Sequence, residues 1–391
     1  MNLNLICVDV GDGACSVLRH GSRPHGAEIA VLDCGSTDLG AAKAGARLSD
    51  LLASEVAKVN TIIVSHFDTD HYRGLMMLAE GMKARNIQFE QLTLIAPRPP
   101  TVPEDPWGYS TRYLALVGAV TGLPHLDLAK ALAEVTAPGR FLYQSTGRGE
   151  WFTAARQQFL VHWPPSRLPA DVAGKVRRAM EKYDELTEKM EQRGDPTLKD
   201  NLEKARGGWW LALGVTDAVQ GSQDLTEFRK RRSLPDHDGR PLEVRELGEE
   251  ADDGMEMPKI KGLEVPEDLI EDWKTAWDAF RRANNDMSLV CEEPRASSMV
   301  AFGDASAPVL SWLMKRRELR RWYGVMLAPH HGSQKLPPNF YLRSDICISQ
   351  NGKRLWPHWT SGHSLLPRHS AFCVSTKGGN QNVLLPRWPW C

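Results

Sequence analysis

Two imidazoles and two carboxylates fall within six consecutive positions near residue 70. The segment reads Ser65-His66-Phe67-Asp68-Thr69-Asp70-His71. Alternate side chains of an extended segment project to the same side, so His66, Asp68 and Asp70 can converge. Donors of this kind hold divalent ions at about 2.0 to 2.2 Å. An exposed polar loop would explain the composition, but not why four potential ligands directly follow a buried strand.

The residues with chemical potential lie just beyond predicted strands. Residues 59–65 (Val-Asn-Thr-Ile-Ile-Val-Ser) form a short β-branched run typical of a buried strand, and His66 opens the loop after it. Gly303-Asp304 follows a predicted strand over 298–302. Pro329-His330-His331-Gly332-Ser333 follows one over 323–328. Because α/β scaffolds place catalytic groups on loops beyond strand ends, we expect these three loops to share a site.

Two strand-rich parts of the chain flank a middle part of different character. Further strands are predicted before residue 97 and after residue 286, over 3–10, 14–19, 28–33, 92–96, 287–291 and 345–349. Helices are predicted over 47–58 and over about 73–85. Residues 97–283 carry many turn signals, most of the tryptophans and a charge-dense helical stretch over 171–206. The pattern predicts an α/β fold with a large insertion.

Five segments together resemble one protein superfamily. The heptapeptide resembles the His-x-His-x-Asp-His signature of the metallo-β-lactamase superfamily, with Asp68 in place of the second histidine. That variant is typical of the branch that includes the hydrolase domain of the bacterial competence DNA-uptake protein ComEC. The other matches are Val8-Asp9-Val10-Gly11-Asp12-Gly13-Ala14, Asn285-Asp286-Met287-Ser288-Leu289-Val290, Phe302-Gly303-Asp304-Ala305 and Pro329-His330-His331-Gly332-Ser333. They cover residues 1–96 and 284–350.

The resemblance implies a fold and a set of domain boundaries. The fold is a four-layer αββα metallo-β-lactamase sandwich. Its hydrolase core comprises residues 1–96 and 284–391, and residues 97–283 form a helical or irregular insertion within the same domain.

The resemblance also implies a cofactor of two divalent metal ions. His66 and Asp68 would hold one ion, and Asp70, His71 and His331 the other. Asp304 would bridge the pair. Three residues would support these ligands from behind: Asp33, Asn285 and Ser288. A histidine that completes the first ion's ligands elsewhere in the superfamily has no counterpart here, so oxygen ligands dominate and the ions are zinc or manganese.

Two catalytic residues and several weaker candidates follow from this site. Asp70 would orient the attacking hydroxide and accept its proton. Neighbours in an extended segment point to opposite sides, so we expect His331 to be the ligand and His330 to assist the leaving group or face the substrate. His363 is a weaker candidate for that role and could equally be a surface histidine.

Composition narrows the class of protein and its location. The chain has 391 residues, is 42% hydrophobic and carries a formal net charge of −1, so no global charge favours nucleic acid or an anionic membrane. It lacks the basic start of a signal peptide and any apolar run of about 18 residues, which predicts a cytoplasmic protein without a membrane partner. Seven cysteines without a Cys-x-x-Cys pair predict free thiols and no thiolate zinc site.

Three functions remain open at this stage. The first is a cytosolic phosphodiesterase or nuclease acting on nucleic acid or a nucleotide. Arg316 and Arg317, and the run 229–232, could contact phosphates, although 315–321 could equally be one exposed helix face. The second is a hydrolase of a small ester or amide metabolite. The third is a partner-activated component of a multi-protein system, such as a defence system, in which the insertion and its acidic stretch 246–256 bind a protein partner.

Overall fold

Two seven-stranded sheets form the framework of the chain. The computed structural model describes residues 3–21, 28–101, 113, 116–117, 125–200, 265–295, 299–357 and 366–385. Within these ranges the chain is a mixed α/β structure.

The first sheet has the strand order β14-β1-β2-β3-β4-β5-β6. Its strands are β1 (Leu3–Cys7), β2 (Cys15–His20), β3 (Glu28–Cys34), β4 (Val59–Ile63), β5 (Leu92–Pro97), β6 (Phe141–Thr146) and β14 (Gln381–Leu385). Pairing is antiparallel from β14 to β3 and parallel from β3 to β6. The carboxyl ends of β3 and β4 therefore meet at one edge of the sheet.

The second sheet has the order β13-β12-β11-β10-β9-β8-β7. Its strands are β7 (Trp151–Ala154), β8 (Gln157–Trp163), β9 (Val290–Glu293), β10 (Met299–Ala301), β11 (Trp322–Leu327), β12 (Arg343–Ser349) and β13 (Ser370–Ser375). Pairing is parallel from β10 to β13. The carboxyl ends of β10, β11 and β12 consequently lie side by side.

Helices connect these strands. They are α1 (Ala41–Leu52), α2 (Thr69–Ala84), α3 (His125–Glu134), α4 (Ala170–Glu191), α5 (Ile270–Asn285) and α6 (Ala307–Arg316). α2 packs on α1 and β3, and α4 packs on α5. A short 3-10 helix, Ala53–Lys58, continues α1, so the helix predicted over 47–58 is replaced by two successive segments.

Two apolar clusters hold the sheets and helices together. One consists of residues from strands of both sheets and the loops beside them, including Leu5, Ile63, Leu289 and Leu327, so the two sheets face each other. The other combines helix residues with the opposite sides of the strands, including Ile6 next to Leu5. Burial on both sides explains why the strands read as nearly continuous apolar runs. Each fully buried leucine contributes roughly 1.5–3 kcal/mol.

The stretch 97–283 differs from the predicted helical or irregular insertion. Strand β6 extends the first sheet, and β7 and β8 extend the second. Gln144 lies inside β6, and Gln157 and Gln158 begin β8, so polar residues obscure these strands in the sequence. β6 pairs with β5, β7 pairs with β8, and β8 pairs with β9, and these pairings stabilise the three strands. β9 lies far from β8 in the sequence. Residues 201–264 lie outside the described ranges.

None of the helices in the described ranges is long and apolar enough to cross a membrane. The six cysteines found in these ranges are free thiols, as predicted, and five of them are buried.

Candidate metal centre

The loop after β4 places four polar residues in the protein interior. Asp68 ends the extended segment, and its carbonyl accepts the amide of His71 at 2.9 Å as α2 begins. Asp70 and His71 lie in the first turn. All four residues, His66 included, are at most 5% exposed. Ionisable groups are rarely buried this completely unless they are paired or bind an ion.

The loop after β10 brings Asp304 to the same place. Gly303 has φ of +52°, and a β-carbon added there would lie 2.9 Å from Cβ of Ser65 and 3.1 Å from Cβ of Ser288. The amide of Asp304 donates to Oγ of Ser288 at 3.1 Å. The two loops therefore touch at a position where only glycine fits.

The loop after β11 brings His330 and His331. Both residues adopt left-handed backbone conformations, with φ of 49° and 55°, inside a short 3-10 segment, Pro329–Gly332. The segment is not extended, so strand alternation does not separate the two side chains as the sequence predicts. Their rings nevertheless lie 6.0 Å apart and make different contacts. Non-glycine residues in this region are strained, and such strain is concentrated at functional sites.

The donor atoms of these loops form two overlapping groups. His66, His71 and Asp304 make one group, and Asp70, His71 and His331 make the other, with all ligand atoms of a group within 4.8 Å of one another. Nε2 of His71 lies 3.1 Å from Nε2 of His331 and 3.2 Å from Oδ1 of Asp304. Nε2 of His331 lies 3.2 Å from Oδ2 of Asp70. Donors around a tetrahedral ion are about 3.3–3.6 Å apart, so these spacings suit coordination.

Asp304 lies between the two groups. Its Oδ1 is near His71 and His331, the latter at 3.6 Å. Its Oδ2 is 3.8 Å from Nε2 of His66 and 3.4 Å from Nε2 of His330. A carboxylate with one oxygen toward each group can bridge two ions.

The hydrogen bonds of the histidines direct Nε2 into the site. Nδ1 of His71 donates to Oδ2 of Asp33 at 3.0 Å, and Nδ1 of His331 donates to the carbonyl of Gln350 at 3.1 Å. Nδ1 of His66 bonds Oγ of Ser65 at 3.2 Å. Because carboxylate and carbonyl oxygens only accept, the first two bonds assign the Nδ1 proton and leave Nε2 as the ligand atom.

Two buried atoms at the site have no hydrogen-bond partner among the described residues. They are Nε2 of His66 and Oδ1 of Asp70. An unpaired buried polar atom costs roughly 1–3 kcal/mol, and both atoms belong to the two donor groups. A bound divalent cation would satisfy them, so the residues present fit a metal centre.

Electrostatics within the site favour carboxylates and protonated imidazoles while no ion is bound. Burial alone would raise the pKa of Asp70, but His71 and His331 outweigh it and lower that pKa to about 2. Burial would lower the pKa of His71, but Asp304 and Asp33 raise it well above its usual value. His331 is shifted upward in the same way, against burial, by Asp304 and Asp70. A metal ion would displace these protons.

Several predicted residues support the ligands. Oδ1 of Asp33 accepts the amide of Ser65 at 2.7 Å, so Asp33 links the loop to His71. Ser288 holds Asp304, as described above. With its amide nitrogen turned toward Asp68, Asn285 donates to Oδ2 of that residue at 3.2 Å.

Other predicted residues are not brought to the cluster. Arg316 and Arg317 lie at the far end of α6, a helix of about 15 Å that starts beside Asp304. The guanidinium of Arg316 lies 4.2 Å from the centre of the Trp312 ring. His363 and the runs 229–232 and 246–256 lie outside the described residues.

Sequence reasoning missed three residues of the site. Asn284 donates to Oδ1 of Asp68 at 2.7 Å, Gln350 orients His331, and Ser65 contacts Nδ1 of both His66 and His71. Gln350 follows the end of a predicted strand, as Asp304 does, and that position was a usable signal. Asn284 is a polar residue in a helix 216 positions from its partner, and no local pattern indicates the contact.

Comparisons with known proteins give weak similarities. No family model and no curated protein matches the chain. Among solved structures, the metallo-β-lactamase fold protein YhfI from Bacillus subtilis has 14% identity and a TM-score of 0.24, and the match covers 40% of this chain and 52% of that one. BJP-1, a subclass B3 metallo-β-lactamase of Bradyrhizobium japonicum, has 16% identity and a TM-score of 0.22, covering 39% and 46%.

A third similar structure is a long-form RNase Z from yeast. It has 13% identity and a TM-score of 0.23, and the match covers 37% of this chain and 18% of that one. The chain thus spans about half, or less, of the length of these three proteins. Scores this low carry no argument for a shared fold or function.

Proposed function

We propose that this chain is a metal-dependent hydrolase of the metallo-β-lactamase fold, a four-layer αββα sandwich, that cleaves phosphodiester bonds in nucleic acid or a nucleotide. The observation that carries the proposal is the pair of overlapping donor groups. In these groups His71 and His331 present Nε2, and Asp304 turns one carboxylate oxygen toward each group. His66 and Asp68 would hold one ion, and Asp70, His71 and His331 the other. The mixed set of nitrogen and oxygen donors suits zinc or manganese.

A pair of divalent ions supplies Lewis-acid activation of water and stabilises negative charge on the group being cleaved. The chain's own residues supply the proton chemistry. Asp70 would orient an attacking water and accept its proton, and the support for this role is that its carboxylate is buried within one of the donor groups. His330 would meet the substrate and protonate a leaving oxygen, and the support for this role is that its side chain is 14% exposed, more than that of His331 at 3%.

Cleavage assays with defined substrates test this proposal. The substrates are end-labelled single- and double-stranded DNA and RNA, a chromogenic phosphodiester, and a lactone, each with added manganese or zinc. Asp70→Asn should lower the rate by about 10²–10⁴-fold. The matched control is Asp50→Asn, an exposed aspartate on α1, which should keep the wild-type rate.

Each outcome has a defined meaning. Metal-dependent phosphodiester cleavage that is lost in Asp70→Asn but kept in Asp50→Asn supports the proposal. Lactone hydrolysis without phosphodiester cleavage would replace it with the small-ester alternative. Metal binding without hydrolysis of any substrate would favour a chain that acts only with a protein partner.

A further inference from the structure

The side chain of Asp68 does not cap the helix α2 that follows it. An aspartate directly before a helix normally accepts an amide of the first turn with its side chain. Asp68 precedes α2 with extended dihedrals, yet its carboxylate makes no such capping bond. Only its backbone carbonyl receives first-turn amides, from His71 at 2.9 Å and Tyr72 at 3.3 Å.

A buried amide from another part of the fold binds this carboxylate instead. Nδ2 of Asn284, in the last turn of α5, donates to Oδ1 of Asp68 at 2.7 Å. The hydroxyl of Tyr113 donates to Oδ1 of Asn284 at 3.0 Å. Since the amide oxygen is engaged by Tyr113, the amide nitrogen must face Asp68. The three residues are 5% exposed or less, so they are buried and water competes little for these bonds.

This contact leaves the second oxygen of Asp68 turned toward the donor groups. Oδ2 of Asp68 lies 3.5 Å from Nε2 of His66, the nitrogen without a hydrogen-bond partner among the described residues. Asn285 reaches the same Oδ2 from the protein side at 3.2 Å. The last turn of α5 therefore sets the rotation of the carboxylate that would hold one ion together with His66.

We propose that Asn284, anchored by Tyr113, is a positioning residue that makes Asp68 a one-oxygen ligand and thereby sets the affinity of the His66–Asp68 ion alone. The inference depends on the metal centre of the proposed function. The other ion would be held by Asp70, His71 and His331, whose contacts involve Asp33 and Gln350 and do not involve Asn284.

Asn284→Asp is the sharpest variant, because aspartate has the same shape and keeps an oxygen for Tyr113 but has no N–H for Asp68. Tyr113→Phe removes only the anchor. Asn351→Asp is the matched control, since Asn351 is also fully buried and its side-chain oxygen accepts from the hydroxyl of Ser375. Manganese and zinc are titrated into each full-length protein, and bound ions are counted by calorimetry and elemental analysis.

We expect two binding steps in the wild type. Asn284→Asp should weaken one step by about 10–100-fold and leave the other within about threefold, as found when residues behind metal ligands are changed. Tyr113→Phe should weaken the same step by less, and Asn351→Asp should weaken neither. Melting temperatures without metal should fall similarly in Asn284→Asp and Asn351→Asp, which separates positioning from general stability.

Two results would overturn the inference. One is equal weakening of both steps in Asn284→Asp, and the other is unchanged or tighter binding of both ions. Loss of hydrolysis is judged separately: two-step binding with a selective defect, but no hydrolysis by the wild type, would refute the proposed function and keep this inference. Hydrolysis by the wild type with no selective binding defect in Asn284→Asp would support the proposed function and refute this inference.

Discussion

Nδ1 of His71 lies 3.0 Å from Oδ2 of Asp33, and this bond connects the end of β3 to the first turn of α2. Asp33 has φ of +57°, a conformation that aspartate tolerates better than most residues. Its other oxygen accepts the amide of Ser65 at 2.7 Å. One carboxylate thus holds both the loop that carries His66 and the ring that presents Nε2 to both donor groups.

Asp33→Asn should weaken metal binding. An asparagine can accept only one of the two donors, because its amide group would face either Ser65 N–H or His71 Nδ1–H. We expect a loss of metal affinity of about 10–100-fold, measured by calorimetry. Asp345→Asn, which alters a carboxylate bonded to Trp322 at the surface, is the control and should bind metal normally. Unchanged affinity in Asp33→Asn would mean that the imidazole is held in place without this bond.

His330 and His331 should respond differently to the same substitution. Asparagine is the suitable replacement because it tolerates the left-handed backbone at both positions. His331→Asn should lose one metal ion, since Nε2 of His331 lies 3.2 Å from Asp70. His330→Asn should keep both ions but lower kcat by about 10²–10⁴-fold. Metal content and kcat measured on both variants decide this, and loss of an ion in His330→Asn would contradict the assigned roles.

Gly303→Ala should destabilise the protein more than a similar change elsewhere. The left-handed backbone costs alanine about 1–2 kcal/mol. The close approach to Ser65 and Ser288 adds about 1–3 kcal/mol of overpacking. Gly139→Ala is the control, because its φ is +71° and no atom lies within 4 Å of the added carbon, so only the backbone cost applies. Free energies of unfolding in urea measure the difference, and equal losses would show that the loops adjust freely.

Stability should depend on pH through a buried histidine that is not one of the proposed metal ligands. Nε2 of His162 lies 3.2 Å from Oε1 of Glu292, and Nδ1 lies 3.9 Å from Oε2 of Glu318. Burial lowers the pKa of His162, but Glu292 and Glu318 outweigh it and raise that pKa above its usual 6.5. A raised histidine pKa stabilises the fold fully below pH 6.5, and this contribution is lost as pH rises through the folded value.

The acidic partners contribute in the opposite direction. Burial would raise the pKa of Glu318, but His162 and Arg148 lower it to about 2, so its contribution is present above pH 4.5 and lost as pH falls toward 2. His162→Gln should therefore reduce the decline in stability above pH 6.5, measured by urea unfolding with a chelator present. His369→Gln is the control. Burial lowers the pKa of His369, so the effect of this histidine on stability changes with pH below 6.5 and not above it. If the free energy of unfolding of His162→Gln declines above pH 6.5 as much as that of the wild type, the assignment to His162 is wrong.

Local sequence determined those parts of the protein whose pattern is complete within a few residues. The strand before His66 was predicted at 59–65 and is observed at Val59–Ile63, and the strand before His330 was predicted at 323–328 and is observed at Trp322–Leu327. Runs of β-branched and apolar residues bounded by polar loops specify such strands directly. The dense ligand segment after β4 was visible for the same reason.

Tertiary structure alone decided the features that depend on distant partners. The strand β6 forms by pairing with β5, β8 by pairing with β9 and β7 by pairing with β8, and the contact between Asn284 and Asp68 forms because α5 ends beside the β4 loop. The left-handed turn at His330 and His331 is strained by itself and persists because the surrounding structure holds it, including the bond from its amide to Gly303. The sequence specifies the chemistry of each side chain, whereas these contacts contribute free energy only when folding brings both partners together.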